Sequence, residues 1–332
     1  MKQRLDYIDI AKGIGIILVV LSHTDYSEIV HYTLALYVPI FFFCSGYTTS
    51  SKTTQIPVKE NLKRHAIKLI KPYFFYSFIL ILIFRQFYLQ GLIGIFYSRY
   101  CLYPFGSPEL YRFLINGNYP LWFLTCMIVS YCLFYIIIYN PKEQYHIVSG
   151  YLIITVLLSH LPILLPWSID TAFYMALFMF IGMKLREIFP SIYESKRIHP
   201  LIIFSVVLYL LFLPFCNNVN LSVREYGSSI ASCLIAGLAG CIITVYIAKL
   251  LESTLTGKIL QQIGKHSLTI FCIEIPFILL GRLLAKSLFL DYSANQISLI
   301  ATAMIEALIA LSGGHLLSLL LQRNEIIRKL IF

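Results

Sequence analysis

Ten apolar runs follow one another along this chain, most of them near the length at which a helix crosses a membrane. A hydrocarbon core about 30 Å thick takes roughly 20 helical residues. The runs lie at Ile8–Thr24, Ile29–Tyr47, Tyr73–Gln90, Tyr119–Tyr139, Ile147–Leu164, Ser168–Leu185, Leu201–Phe215, Ser228–Leu250, Ser267–Leu284 and Ile297–Leu321. Between them 58% of the 332 residues are hydrophobic and only 13% are charged, against about a quarter charged in a soluble chain. Such a sequence lacks the polar surface to cover itself in water, so lipid must solvate much of its exterior. Soluble enzymes, disordered chains and secreted disulfide scaffolds are excluded. Runs of this length are helices, since barrel strands alternate over about ten residues. The expected fold is an all-α polytopic membrane protein with ten transmembrane helices, a single domain over residues 1–332 and no appended soluble domain.

The net charge of +10 would suggest nucleic acid in a soluble protein, but its distribution points to membrane orientation and to no nucleic-acid partner. Loops of one parity, with the two termini, hold 20 of the 26 Lys and Arg; loops of the other parity hold four, Arg99, Arg112, Arg224 and Lys286. The remaining Arg85 and Arg282 fall within apolar runs. Positive charge gathers on the cytoplasmic side, so both termini are expected there. No small-residue cleavage site follows Leu21, so the first run is expected to stay in the mature chain. The longest outer connection, Gly91 to Asn118, has room for a short interfacial helix. Six of the eight cysteines sit in apolar runs as small hydrophobes, and no Cys/His spacing suits a metal. Cys101 and Cys216 fall on the outer side, and whether they pair is open.

Ionisable groups in hydrocarbon are costly and ask for a partner or a task. Lys12 and His23 stand eleven residues apart, about three turns and 16 Å of helix, and within about 20° of the same face. Asp9, three residues before Lys12, is close enough to pair with it. Taken alone, Lys12 reads as a snorkelling anchor, and His23 is balanced between a packing histidine and a general base. Arg85, His160, Asp170, Glu274, Arg282, Glu306 and His315 are the other such groups. Asp170 could pair with His160. Glu274 could orient His23 or pair with Arg282.

The stretch from Arg4 to His23, with Phe41-Phe42-Phe43-Cys44-Ser45-Gly46-Tyr47 after it, resembles the start of the membrane-bound acyltransferase family 3, whose members acetylate sugars of bacterial polysaccharides. Within that family the chain is most similar to the fucose 4-O-acetylase-like branch. The family opens on Arg, ten residues, then His; here Lys12 holds the Arg place and His23 the His place. Lysine keeps the charge but loses the bidentate fork. Ser45-Gly46-Tyr47 matches the family's Ser-Gly-aromatic motif. Leu121-Trp122-Phe123-Leu124 after Pro120, Pro166 to Asp170, and Gly264 to Ile270 extend the likeness along nearly the whole chain. Two departures stand out. Relatives often carry Arg-x-x-Arg in the first cytoplasmic loop, where this chain reads Lys63 to Tyr73 with Arg64 and Lys68 as nearest equivalents. Glu274 stands where relatives of this type often have His.

The resemblance implies an enzyme of a bacterial cytoplasmic membrane, with membrane lipid around it, that moves an acetyl group from acetyl-CoA to a hydroxyl of a cell-envelope glycan or lipid-linked sugar, without a metal. His23 is then the general base or a transient acyl carrier, with Lys12 and Asp9 beside it. Arg64, Lys68 and Lys71, with Ser45 and Gly46, are the expected donor-binding residues. Glu274, Asp170, Trp122 and Asn118 are the expected acceptor-binding residues, although Trp122 also fits an interfacial aromatic belt. The competing class is a carrier of a glycan or anionic substrate, its path lined by Arg85, Asp170, Glu274 and Glu306.

Overall fold

A computed structural model describes residues 5–33, 35–49, 51–99, 101–102, 120–190, 192–193, 199–288 and 296–331. Among them it is an all-α membrane protein. Six helices are long and apolar enough to cross a membrane: Val58–Phe84, Trp122–Tyr139, Pro166–Ile188, Ile230–Leu251, Ser267–Ser287 and Gln296–Arg323. Two shorter apolar helices, Gln144–Ser159 and Pro200–Phe215, accompany them. Whole faces of these helices present large apolar side chains outward, as with Phe204, Val207, Leu210 and Leu211, each 56% exposed or more. Only lipid makes such a surface tolerable. The chain divides into two compact units, one drawn from residues 1–41, 191–217 and 231–328 and the other from 42–190, 218–230 and 329–332.

The first unit is built on α1 (Asp6–Ser22), which packs with α10 (Leu255–Lys265), α11 (Ser267–Ser287) and α12 (Gln296–Arg323). Asp6 and Asp9 in the first turn of α1 suit the positive end of its dipole. Between α1 and α10 two glycines let backbones touch. A Cβ on Gly13 would stand 2.1 Å from the Leu260 carbonyl oxygen, and one on Gly264 1.8 Å from that of Asp9. The α10 helix, capped by Thr254 accepting the Gly257 N–H at 2.9 Å, lies within what the sequence reads as a loop, Lys249 to His266. Its polar, lysine-bearing sequence hides it from a search for apolar runs. The same unit holds α8 (Pro200–Phe212) and α9 (Ile230–Leu251), with α11 and α12 in antiparallel register, Gly281 facing Glu306 and Gly314 facing Ile270.

The second unit holds α3 (Val58–Phe84), α4 (Leu89–Tyr97), α5 (Trp122–Tyr139), α6 (Gln144–Ser159), α7 (Ile169–Ile188) and a two-residue hairpin of β1 (Val219–Asn220) and β2 (Glu225–Tyr226). The α5 helix packs on α3 and α7, and α6 on α7. The basic segment expected as a loop is instead, from Val58 to Pro72, the first half of α3, which runs on past Pro72 and stops where Arg85 turns left-handed at φ 52°. Arg85 is exposed there rather than lodged mid-span.

The second expected span, Ile29–Tyr47, is broken. A 3-10 turn at Ser27–Thr33 is followed by α2 (Pro39–Tyr47), whose nine residues rise only about 13 Å. Pro39 has no backbone N–H and sits where a helix can start but not where one can continue. In the second unit α2 packs against α7 through Gly46 and Gly182, where added Cβ atoms would stand 1.8 Å from the Met179 carbonyl and 2.3 Å from that of Phe43. Cys101 and Cys216 are both free thiols. The start of the Gly91–Asn118 connection falls in the short helix α4; positions 103–119 lie outside the described residues.

Candidate functional site

In the first unit two carboxyl groups, Glu274 and Glu306, are buried near the end of α1. His23 closes α1 as its C-terminal cap at φ −101°, on a helix unbroken from Lys12 onward, so the two share the stripe their spacing requires. The imidazole Nδ1 lies 2.8 Å from Oε1 of Glu274 on α11. The Glu274 side chain is fully buried, while that of His23 keeps 17% exposure. With Glu274 ionised and the ring neutral, the carboxylate only accepts, so the proton of this contact is on Nδ1 and Nε2 is the basic nitrogen. Glu274 Oε2 is buried without a hydrogen-bond partner among the described residues. Of the three readings open to Glu274 in the sequence, the geometry is that of orienting His23.

Arg282, offered as an alternative partner for Glu274, is engaged elsewhere. It pairs with Asp25 and donates through Nε to Glu306 Oε1 at 3.0 Å, while the Asp25 backbone N–H donates to Glu306 Oε2 at 3.0 Å. Asp25 was missed by sequence reasoning, because a charged residue just beyond an apolar run carries no burial cost to draw notice.

The remaining expected site residues fall into place as follows. Asp9 is buried on α1 with its carbonyl against Gly264, and half-buried Lys12 lies one turn further on. Arg64, Lys68 and Lys71 are exposed on one face of α3, at spacings of four and three. Arg64 pairs with Glu60 at 3.4 Å, and Lys71 donates to the Lys329 carbonyl at 3.0 Å. Beside them the His65 ring stacks on Tyr131 with centroids 4.2 Å apart, and Tyr131 is hydrogen-bonded to Ser45. Ser45 is thus linked to the basic face through two rings, whereas Gly46 is a packing contact of α2 with α7. Trp122 is buried at the start of α5. Asn118 lies outside the described residues.

Asp170 differs most from its sequence reading. It does not pair with His160, which is exposed and bonded to Val156. Its Oδ1 is held by Arg99 and by the Thr171 N–H at 3.0 Å; its Oδ2 faces Arg224 Nε at 3.1 Å and the Leu165 N–H at 3.0 Å. Arg99 and Arg224 are buried, not the surface cations that a loop count makes of them. They tie Asp170 to the Leu158, Leu161, Ile163, Leu165 and Ser222 carbonyls. Burial pulls the Arg224 guanidinium down and the charge of Asp170 pushes it back up. With its oxygens so occupied, Asp170 is a structural tie and not a free hydroxyl acceptor.

A helical membrane protein with a buried carboxyl group against a half-buried histidine at the end of α1 has the parts from which group-transfer sites are built. The family model described as an acyltransferase domain, that of acyltransferase family 3, matches residues 5–323. The chain belongs to that family and is a membrane acyltransferase. No curated protein and no solved structure matches it. The carrier reading is not favoured, and of its four charges Arg85 is exposed while Asp170 and Glu306 are engaged in ion pairs.

Proposed function

We propose that this protein is an O-acetyltransferase that moves an acetyl group from cytoplasmic acetyl-CoA to a hydroxyl of a cell-envelope glycan or lipid-linked sugar. The observation that carries the reading is the 2.8 Å contact between His23 and buried Glu274, within a chain of this family. A hydroxyl oxygen attacks the thioester carbonyl while Nε2 of His23 takes its proton. The C–S bond then breaks, and the proton passes to the departing thiolate, giving ester and free CoA. Attack by Nε2 itself, through an acyl-imidazole, uses the same residue. Glu274 holds the ring and supports the imidazolium that forms. In this reading Glu274 acts behind the base.

The donor's phosphates are assigned to Arg64, Lys68 and Lys71, whose common exposed face suits a polyanion. Lys12, on the His23 stripe, is assigned to polarising the thioester carbonyl or meeting a phosphate. Trp122 and Asn118 are the proposed sugar-facing residues. The proposed topology is a single domain of ten crossings with both termini cytoplasmic, the broken segment 27–47 serving as the second, in a bacterial cytoplasmic membrane. Positive-charge distribution supports that orientation.

Purified protein with radiolabelled acetyl-CoA tests the reading. Wild type should release CoA in an acceptor-dependent manner, and His23→Ala should bind donor but not turn over. Wild-type turnover by His23→Ala would remove His23 from the mechanism.

A further inference from the structure

The segment that leaves α1 is held twice, and only once through the imidazole. Asp25, two residues beyond His23, gives its backbone N–H to Glu306 Oε2 at 3.0 Å. Its carboxylate pairs with Arg282, and the Arg282 Nε–H closes the circuit on Glu306 Oε1 at 3.0 Å. Glu306 is fully buried, while the side chains of Arg282 and Asp25 keep 29% and 25% exposure. The ring joins the exit of α1 to α11 and α12. Arg282 stands eight residues after Glu274 on α11, so the helix that supplies the partner of His23 also supplies the cation of the ring. Next to it, a Cβ on Gly281 would stand 2.7 Å from Glu306 Cα, so α11 and α12 touch at this level.

Two carboxylates share one guanidinium here, which leaves the ring with a formal charge of −1. It has no surplus positive charge to offer an acyl oxyanion or a donor phosphate. Nor is it the economical way to pack α11 on α12, since apolar residues of similar volume do that without the desolvation of Glu306. What the ring does supply is a fixed geometry: two directional contacts on the backbone and side chain of Asp25, two residues from His23, and a third that ties Arg282 to Glu306.

We propose that Asp25, Arg282 and Glu306 form a positioning clasp for His23, fixing the end of α1 so that the imidazole stays on Glu274 with Nε2 turned toward substrate. The clasp rests on the acyltransfer reading for its catalytic meaning. Its physical content, that the ring governs the His23–Glu274 hydrogen bond, is testable without substrate.

The experiment follows diethyl pyrocarbonate labelling of individual histidines by peptide mass spectrometry in detergent-purified wild type, Asp25→Asn and Arg282→Lys. Asparagine keeps the backbone bond to Glu306 and loses the ion pair; lysine keeps the charge and loses the Nε–H. Loosening His23 by the worth of one ordinary hydrogen bond should speed its labelling roughly fivefold in either variant. Buried His266, at the α10–α11 junction, should label at the wild-type rate, and kcat should fall with the donor KM unchanged. Unchanged His23 labelling in both variants overturns the clasp, as does parallel acceleration at His266, which reports general loosening. If Arg282→Lys does not fold, Asp25→Asn decides alone. Turnover by His23→Ala would strike the acyltransfer reading instead, and the labelling would still decide the clasp.

Discussion

Replacing Glu274 by Gln keeps the side-chain volume and removes one charge 2.8 Å from His23 Nδ1. When Nε2 takes a proton the ring becomes an imidazolium, and its bond to a carboxylate is worth about 1.5–3 kcal/mol, against about 0.5–1.5 kcal/mol for a bond to a neutral amide oxygen. The difference, about 1–2 kcal/mol, applies in the transition state more than in the ground state, so kcat should fall roughly five- to thirtyfold. An amide that turned its NH2 toward Nδ1 would reverse the tautomer and deepen the loss. Stability should move the other way, because an amide costs less to bury than a carboxylate. CoA release from radiolabelled acetyl-CoA at saturating acceptor, paired with thermal unfolding in detergent, separates the two effects. The reasoning fails if kcat stays within twofold of wild type. It fails equally if activity disappears only together with a large drop in Tm, since Glu274 would then be holding the fold and not the base.

Other perturbations probe the rest of the arrangement. Arg64→Ala with Lys68→Ala removes two exposed charges from one face of α3 and should raise the donor KM roughly five- to thirtyfold, less at high salt, with kcat retained; a KM that does not move reassigns those charges to membrane orientation. Asp170→Asn strips the anion from between two buried arginines and should cost about 3–5 kcal/mol of stability, read as a lowered detergent Tm; an unchanged Tm would show the tie to be dispensable. Gly264→Ala drives a Cβ into the Asp9 carbonyl, 1.8 Å away, and should cost about 1–3 kcal/mol as α10 is pushed off α1. Preserved stability in that variant would mean that the two helices are not in backbone contact.

The helical membrane class and most helix positions could be read from apolar run length, because burying a backbone in lipid leaves a helix little alternative. Apolarity alone cannot locate a break inside such a run. Ile29–Tyr47 is apolar throughout its second half, yet Pro39 divides it into a 3-10 turn and a nine-residue helix. The opposite error arises with α10 and the first half of α3. Their polar residues read as loop, but α10 gains its helix from a Thr254 cap and from glycine contacts with α1, and the basic half of α3 leads without a break into the apolar span that follows it. Charge counting by loop parity likewise treats every outer cation as surface. It could not foresee that Arg99 and Arg224 turn inward on Asp170, whose partners arrive from 71 residues before it and 54 residues after it.

The site was legible only where burial itself was the signal. Glu274 stood out because a carboxylate seven residues into an apolar helix has to be compensated, and the partner it found was one of those open to it in the sequence. Glu306 and Arg282 raised the same question, but the third member of their ring could not be inferred. Asp25 sits past the end of α1, where a charge costs nothing by composition, and half of its contribution is a backbone N–H that carries no residue identity. The two pairings are also coupled through one helix, since Glu274 and Arg282 are eight residues apart on α11. Any shift of α11 along its axis therefore moves the orienter of His23 and the clasp of its backbone together. Glu274 and Arg282 keep their relative placement when α11 moves as a body and lose it when α11 bends between them, while Glu306, which takes the Asp25 N–H, stands on α12. Pro276 lies between Glu274 and Arg282, two residues after Glu274, and its missing N–H leaves the Cys272 carbonyl without its helical donor. Bending at that point is the motion to which the geometry of His23 is most exposed.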